Sequence, residues 1–451
     1  MSSPATFFVP GRIEVLGKHT DYAGGRSLLA ATRQGFTLEA RPALSGEVRV
    51  VDMDTGRNAT FPLGSVGGQS EPGPADVAVS VAVSRSWERY PAVVVQRIAR
   101  DFPGLEGGAA LAFSSTLPAA SGLSSSSALV VAVFLGMASA LDLPEREDFQ
   151  RVFGAGLSGG RENRERLAAY LAAVESGRPF PPVGGRRQGR GVGTDGGSED
   201  HAAILCAEAG HLVRYRFRPT RFEGAVAVPD GWVFAMASSG VLAEKAEGAR
   251  DAYNRLSEET RRMAELWREE TGGEEPHLGA ILASDPDARK RLDDLLIAAG
   301  DRAPGRTGPR AGGGALSQRL HQFATESNEL VPLAVAALEQ GDLDDFGRAV
   351  ARSQALTEEV LDNQVPETAY LVREARELGA PAASAFGAGF GGAVWALTRR
   401  DGVEDFLDAW RVRYLGRFPD RGDASRFIWT EAGPAASRRL PGVVAPSRRP
   451  P

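Results

Sequence analysis

Apolar and polar residues alternate along this chain in patterns that predict strands and helices in both of its halves. β-prone runs separated by glycine, proline and aspartate fill the first 60 residues and predict strands there. Further strands are predicted at residues 111–113, 232–237, 393–397 and 427–431. Apolar residues at helical spacing predict a helix at residues 87–102, and further helices are predicted at residues 161–176, 243–270, 316–341, 343–364 and 403–414. This mixture argues for two domains, each with packed layers of helix and sheet.

Segments rich in glycine, proline and turn-forming residues divide these elements into domains. The turn-rich stretch at residues 222–230 predicts a boundary between one domain at 1–225 and another at 226–436. Residues 437–451 are rich in proline and arginine, and we expect a flexible tail there. Residues 177–198 contain eight glycines and four arginines, a composition typical either of a disordered insertion or of a lid over a site.

The composition narrows the functional class. Charged residues make up 24% of the chain and the formal net charge is -6, so the charge gives no indication of binding to nucleic acid or to an anionic membrane. The apolar run at residues 128–143 is short for a membrane span and includes Asp142, which favours a buried helix. The single Cys206 cannot form an internal disulfide and no signal peptide is evident, so we expect a reducing, cytoplasmic location.

The first candidate for chemistry is the serine-rich stretch LPAASGLSSSSAL at residues 117–129, which runs into a strongly apolar helix. Unpaired N–H groups at a helix N-terminus bind anions, and small side chains let a phosphate approach the backbone. Serine hydroxyls can also bind phosphate oxygens or Mg²⁺. The stretch lacks the Gly-Lys pair of a Walker A loop, so it predicts a different phosphate-binding loop, or a serine-rich helix cap that binds no ligand.

A second stretch, SAFGAGFGGAVWAL, contains the spacing G-x-G-x-x-G at Gly387, Gly389 and Gly392. A dinucleotide-binding loop with this spacing leads into a helix, whereas a predicted strand follows here. We therefore expect a glycine turn that lies against a phosphate or against another loop of the protein.

Ionisable side chains cluster at two further places. Lys18, His19 and Asp21 lie within four positions of each other in the stretch GRIEVLGKHTDYAGG. Glu199 and Asp200 lie where a helix should begin. These two carboxylates either cap the helix N-terminus or provide a base for a substrate hydroxyl, and a neighbouring cation would keep such a base ionised.

Together these stretches resemble the signatures of the GHMP kinases. The first is similar to the galactokinase-like signature Gly-Arg-x-x-x-x-Gly-x-His-Thr-Asp-Tyr-x-Gly-Gly and matches it at residues 11–25. Residues 118–128 resemble Pro-x-Gly-x-Gly-Leu-Ser-Ser-Ser-Ala, and residues 387–392 match Gly-x-Gly-Phe-Gly-Gly. The resemblance implies an α+β fold with two domains. They would be an α/β N-terminal domain like ribosomal protein S5 and a ferredoxin-like α+β C-terminal domain, with the active site in the cleft between them.

The resemblance also implies a kinase that uses ATP and Mg²⁺ to phosphorylate the anomeric (C1) hydroxyl of galactose or a related sugar. Arg12 and Asp200 match the catalytic positions, with Asp200 as the base. The other implied site residues are Lys18, His19, Asp21 and Tyr253 around the sugar; Gly122, Leu123, Ser124, Ser125, Ser126 and Ser127 at the phosphates; and Ser126 and Glu175 at the metal. We expect a small-molecule sugar as substrate, and a monomer or weak homodimer.

Lys18 departs most clearly from the family pattern, which has glutamate there, typically near the C6 hydroxyl of the sugar. Lys18 points either to solvent or to Glu14, or else it meets an anionic or altered C6 group such as the carboxylate of a uronic acid. Glu14 itself stands where asparagine is common. The alternatives for the protein are therefore a kinase for another sugar, an acidic sugar or a polyol, or a catalytically silent sugar sensor with the same fold.

Overall fold

The computed structural model describes residues 4–63, 87–118, 122–185, 188–241, 249–300 and 314–439. These residues form two β-sheets, one of eight strands and one of four, with helices packed against both. The mixed α+β fold and its division into two domains are confirmed by this arrangement.

The eight-stranded sheet is built around two long strands. β1 spans Ala5–Leu16 and pairs antiparallel with β2, which spans Arg26–Ala43. The other strands of this sheet up to residue 227 are β3 (Glu47–Asp52), β4 (Asn58–Pro62), β5 (Gly108–Ser115), β6 (His211–Arg216) and β7 (Arg221–Ala227). The register of β1 on β2 shifts just before Arg12 and again after Glu14. Such irregularities redirect side chains, and both residues belong to the candidate site.

Helices from the first half of the chain pack on this sheet. They are α1 (Arg89–Asp101), α2 (Ser125–Ala140), α3 (Glu147–Phe153), α4 (Arg161–Ser176) and α5 (Glu199–Cys206). α2 is apolar around its circumference because it contacts β1, β2 and neighbouring helices at once. The first turns of α2 and α5 meet beside Arg12 on β1, so two helix N-termini that are distant in sequence lie together.

A further group of helices connects the two sheets. It comprises α6 (Ala249–Thr271), α7 (Leu278–Ser284), α8 (Ala288–Ala298), α9 (Ala315–Thr325), α10 (Val331–Glu339) and α11 (Leu343–Leu356). A π-helical turn, Glu326–Leu330, joins α9 to α10, and a second, Thr357–Leu361, extends α11. π-turns often occur at functional sites. The first begins at Glu326, which accepts from the N–H of Gly17 in the turn between β1 and β2, residues 17–25, here called the signature turn.

The second sheet has the ferredoxin-like arrangement that we predicted. Its elements are β8 (Trp232–Ser238), α12 (Pro366–Glu377), β9 (Ala383–Phe386), β10 (Ala393–Arg399), α13 (Val403–Arg417) and β11 (Arg426–Thr430). The strands are antiparallel in the order β11-β8-β10-β9. α12 precedes β9 and α13 precedes β11, which gives the split βαβ connectivity. The turn between β9 and β10 carries the second glycine-rich stretch.

Two predicted boundaries are wrong. The stretch at 222–230 is mostly strand β7, which forms a hairpin with β6, so the boundary after residue 225 falls inside a strand. The predicted flexible tail also begins too early, because Ser437–Arg439 form a last strand, β12, that pairs with β1. The chain thus returns to its first sheet. Residues 440–451 of the predicted tail and 243–248 of the predicted helix lie outside the described residues.

One hydrophobic core joins the two sheets. The largest cluster of buried apolar side chains includes Val9 and Leu29 of the first sheet together with Phe234 and Trp395 of the second. Because the sheets share this core, residues at their junction are held at fixed separations. Within the described ranges, each helix is either too short or too polar to cross a membrane.

Candidate active site

Arg12 and Asp200 form the centre of the candidate site. Arg12 Nε donates a hydrogen bond to Asp200 Oδ1 at 2.6 Å, from β1 to the first turn of α5. Arg12 Nη1 donates to the carbonyl oxygen of Gly122 at 2.8 Å, and the backbone N–H of Arg12 donates to that of Leu123 at 3.2 Å. The predicted catalytic pair and the serine-rich loop are therefore one assembly, held by an arginine that is 5% exposed.

The serine-rich helix start also contacts the carboxylate. Ser124 Oγ and Ser127 Oγ donate to Asp200 Oδ2 at 2.6 and 3.2 Å. Burial by itself would raise the pKa of Asp200, but the charge of Arg12 and the hydrogen bond from Ser124 outweigh burial and hold that pKa below its ordinary value. Asp200 is therefore ionised near neutral pH and is surrounded by groups that donate to it.

Phosphate binding by the other residues of the serine-rich loop stays a prediction. Ser125 is exposed and Ser126 is half-buried in the first turn of α2, where backbone N–H groups lack partners within the helix. Gly122 has a φ of 69°, and a Cβ there would lie 3.1 Å from the backbone nitrogen of Ala393. Only glycine tolerates both conditions, so the loop packs directly on the second sheet.

The second glycine-rich stretch is a turn before a strand, as predicted, and it lies against the first. Gly387 donates its N–H to Glu14 Oε2 at 3.0 Å. Its φ is 81°, and a Cβ there would lie 3.2 Å from Arg12 Nη2. The cleft between the two sheets is thus closed at this point by Arg12, Glu14 and two glycine turns.

His19 lies in the tight turn between β1 and β2 and is uncharged. Its φ is 57°, a left-handed conformation that is costly for a residue with a side chain. Nδ1 lies 3.1 Å from Tyr22 Oη, and Nε2 lies 3.0 Å from Asn363 Nδ2. Burial, and then the charge of Arg319, lower the pKa of His19 to about 3. The ring is therefore a neutral hydrogen-bonding group at physiological pH.

Asp21 links the same turn to α5. Its Oδ1 accepts from the N–H of Tyr22 at 2.8 Å and its Oδ2 accepts from the N–H of Glu199 at 3.2 Å. A Cβ on Gly197 would collide with this carboxylate, so the segment before α5 can approach only with glycine at that position. Asp21 is thus fixed beside the helix that carries the candidate base.

Tyr253 covers this turn from the start of α6. Its ring centroid lies 5.3 Å from that of His19 and 6.3 Å from that of Tyr22. Burial raises the pKa of Tyr253, so the phenol keeps its proton. The structure therefore brings together His19, Asp21 and Tyr253, which were predicted separately to surround the sugar.

Lys18 is buried, so the alternative in which it points to solvent is wrong. Lys18 is 2% exposed, and its Nζ has no hydrogen-bond partner among the residues that the structure describes. Burial raises the pKa of Glu14. The positive charge of Lys18 is the largest of the effects that lower this pKa again. In the described part of the chain Glu14 Oε1 likewise lacks a hydrogen-bond partner, although the other carboxylate oxygen accepts from the N–H of Gly387.

Glu199 adds a further carboxyl group to this cluster. It is buried, and Ser27 Oγ donates to its Oε2 at 2.5 Å. Burial, followed by the neighbouring charges of Glu14 and Asp21, raises the pKa of Glu199 well above its ordinary value of 4.5. Glu199 and Asp200 therefore differ in protonation although they are adjacent in sequence, because only Asp200 binds Arg12 directly.

We expect the Glu199→Gln variant to gain stability relative to the wild type as the pH rises from about 5 to 8, by up to about 1.4 kcal/mol per pH unit. A carboxyl group with a raised pKa keeps its proton in the folded chain and loses it in the unfolded chain, so rising pH favours unfolding. Glutamine removes this contribution. Urea unfolding across the pH range measures it, with exposed Glu258→Gln as a control; parallel wild-type and Glu199→Gln curves would contradict it.

Helix α9 and the π-turn after it supply residues that sequence analysis missed. Arg319, Gln322 and Glu326 are buried and lie at positions i, i+3 and i+7, on one helix face. Each binds the backbone of the signature turn: Arg319 donates to His19 O at 2.7 Å, Gln322 Nε2 donates to Lys18 O at 3.1 Å, and Glu326 Oε1 accepts from Gly17 N–H at 2.7 Å. In the sequence they form a polar stripe at helical spacing, but such a stripe normally faces water, so it did not single them out.

The predicted metal ligands, Ser126 and Glu175, stay a prediction. Glu175 Oε2 lies 3.1 Å from His201 Nε2, next to Asp200 in the chain. In the described parts of the chain, no three or more His, Cys, Asp or Glu side chains group closely enough to hold a metal. A hydroxyl and a carboxylate are nevertheless the hard oxygen donors that suit Mg²⁺, which commonly takes its other ligands from phosphates and water.

Three protein-family models match this chain, in order along its length. Residues 1–42 match the galactokinase galactose-binding signature, residues 89–163 match the GHMP kinases N terminal domain, and residues 334–414 match GHMP kinases C terminal. The first match contains the signature turn and Arg12, and the second contains the serine-rich loop.

Curated relatives match over most of the chain. The galactokinase of Roseiflexus sp. is 25% identical over 398 residues, which cover 88% of this chain and 84% of that protein. The galactokinase of Streptomyces coelicolor is 26% identical over 396 residues, with the same coverage of 88% and 84%. The sequence identity is therefore low, but the similarity extends over most of the chain.

Solved structures confirm the fold. Lactococcus lactis galactokinase complexed with galactose superimposes with a TM-score of 0.72 at 22% identity, covering 97% of this chain and 96% of that chain. The mevalonate kinase of L. major in complex with R-mevalonate gives 0.53 at 16% identity, covering 96% and 100%. With the three signatures in order and this fold, the chain is a member of the GHMP kinases, in their galactokinase-like branch.

Proposed function

We propose that this protein is an ATP-dependent kinase that transfers the γ-phosphate to the anomeric (C1) hydroxyl of galactose or a closely related neutral sugar. The observation that carries the proposal is the Arg12–Asp200 pair, in which a carboxylate is held ionised beside the N-terminus of α2, where N–H groups lack partners within the helix. The names of the curated relatives, and the galactose in the L. lactis structure, support galactose as the first sugar to test.

In this mechanism Asp200 accepts the proton of the C1 hydroxyl as that oxygen bonds to the γ-phosphorus, and the bond from this phosphorus to the bridging oxygen breaks, so that ADP leaves. Arg12 keeps Asp200 ionised, and together with the N-terminus of α2 it offsets negative charge on the transferred group. Phosphoryl transfer depends mainly on such positioning and charge. Mg²⁺, held by Ser126, Glu175 and the phosphates, would supply further positive charge.

The signature turn would bind the sugar. The carboxylate of Asp21 can accept hydrogen bonds from two hydroxyls, a geometry that distinguishes epimers. The neutral ring of His19 would bind a sugar hydroxyl only in exchange for Tyr22 or Asn363, which contact its two nitrogens here. Tyr253 would cover the sugar and exclude water. All three side chains are oriented by contacts within the protein, so binding would cost little further ordering.

The surroundings of Lys18 favour a neutral sugar over an acidic one. Lys18 Nζ needs an acceptor and Glu14 Oε1 needs a donor, and a hydroxyl group can serve both because it donates and accepts. A sugar carboxylate would satisfy only Lys18, and Glu14 and Glu326 would repel it. An acidic sugar is therefore the alternative that Lys18 suggests, but the acidic residues Glu14 and Glu326 beside Lys18 favour a neutral one.

We expect purified protein to consume ATP when galactose is added and to form galactose 1-phosphate, identified by NMR of the product. Galacturonic acid should not be turned over, and 6-deoxygalactose should have a kcat/KM at least about tenfold lower, because polar atoms would lose their partner. Turnover of galacturonic acid without turnover of galactose would replace this proposal by an acidic-sugar kinase. Sugar binding without any use of ATP would instead indicate a silent sensor.

A further inference from the structure

Residues 188–198, the end of the glycine-rich segment that precedes α5, lie along one face of α6. That face carries Arg250, Asn254, Ser257 and Arg261, at spacings of i, i+4, i+7 and i+11. Asn254 Nδ2 donates to the carbonyl oxygen of Gly193 at 3.1 Å. Where the segment is described, the contacts argue against a disordered insertion, which was one of the two predicted alternatives.

Asp195 is the centre of these contacts. Its N–H donates to Asn254 Oδ1 at 2.9 Å. Its carboxylate accepts from Arg178 Nε at 3.0 Å and from Ser257 Oγ at 3.4 Å, and it forms an ion pair with Arg261. We call Asp195 and these four partners the Asp195 clasp. The clasp joins the segment after α4 to α6 through both backbone and side chain.

The two residues after Asp195 reach the candidate sugar site. A Cβ on Gly196 would lie 3.2 Å from Tyr253 Oη, and a Cβ on Gly197 would collide with the Asp21 carboxylate. The segment therefore passes between two predicted sugar-binding residues with no room for a larger side chain. Tyr253 in turn precedes Asn254, the clasp residue that binds the Asp195 backbone.

We propose that Asp195 is a positioning residue that fixes Tyr253 over the sugar site; this rests on the function proposed above. The clasp holds α6 at Asn254, Ser257 and Arg261, and Tyr253 is adjacent to the first of these residues. Loss of the carboxylate charge weakens the ion pairs that fix the face of α6, so Tyr253 no longer packs firmly against His19. Asp200 and Arg12 lie outside the clasp, and their chemistry is preserved.

Kinetics of Asp195→Asn test the proposal. The KM for sugar should rise about tenfold, the effect of losing a hydrogen bond to a charged group, while kcat and the KM for ATP change by less than about twofold. Asn254→Ala, which cuts the clasp from the other side, should give the same pattern, and it serves as the test if the first variant does not fold. Glu258→Gln is the matched control, because Glu258 also pairs with Arg261 but lies on the outer surface of α6.

Tryptic cleavage after the exposed Arg190 provides a readout independent of activity. Cleavage should be several-fold faster in Asp195→Asn and Asn254→Ala than in the wild type and in Glu258→Gln, because the clasp restrains the segment. If the wild type phosphorylates no sugar, the proposed function fails, while the cleavage rates still test the clasp. Unchanged sugar KM in both clasp variants, or a fall in kcat without a change in that KM, would overturn the positioning role.

Discussion

Replacing Asp200 by asparagine should lower kcat for sugar phosphorylation by about 10²–10⁴-fold, the usual effect of losing a general base. Asparagine has almost the same shape as aspartate and keeps one oxygen to accept from Arg12 or Ser124. The fold and the sugar site should therefore persist. A coupled assay of ATP consumption measures kcat, and titration calorimetry measures the dissociation constant for galactose, which should change by less than about threefold.

Asp148→Asn is the matched control for this experiment. Asp148 is likewise held ionised by an arginine, since hydrogen bonds from Arg146 lower its pKa, and it lies on the surface at the start of α3. The same chemical change there should leave kcat unaltered. Turnover by Asp200→Asn at the wild-type rate would show that Asp200 is not the base, and the proposed mechanism would be abandoned.

The sequence revealed those site residues whose types are unusual for their surroundings. A histidine and an aspartate between glycines, and two carboxylates at a helix start, predicted His19, Asp21 and Asp200, and the structure brings them together. It did not reveal Arg319 or Glu326. Polar residues at helical spacing normally face water, and only packing against the signature turn shows that these are buried.

The same distinction holds for the fold. Most helices were predicted from the local sequence, and Arg161–Ser176, polar at its start and apolar later, begins and ends where it was predicted. The strands that were missed depend on partners. Arg221–Ala227 contains Gly224 and has a turn-like sequence, but it pairs with β6 as a strand. Ser437–Arg439 forms a strand because it pairs with β1, which comes from the other end of the chain. Such pairing is not a property of a local sequence window.

Lys18→Met should lower the free energy of unfolding by about 3 kcal/mol, because it removes the strongest of the charges that offset the burial of Glu14. Lys18 provides the strongest opposing charge at Glu14, and Arg12 and the N–H of Gly387 would only partly replace it. The double variant Glu14→Gln/Lys18→Met should recover most of the loss, since a neutral pair of similar volume has no charge to compensate.

Urea unfolding of the four proteins in this double-mutant cycle measures the coupling of Glu14 and Lys18. Additive effects would mean that the two side chains act independently, and Lys18 would then be an unpaired cation available to an anionic sugar group. Strong coupling means that Glu14 already neutralises the cation, so the lysine that departs from the galactokinase-like pattern would not by itself select an acidic substrate. The stability cycle thus bears on substrate choice without any assay of turnover: coupled residues favour a sugar hydroxyl, and independent ones favour a carboxylate.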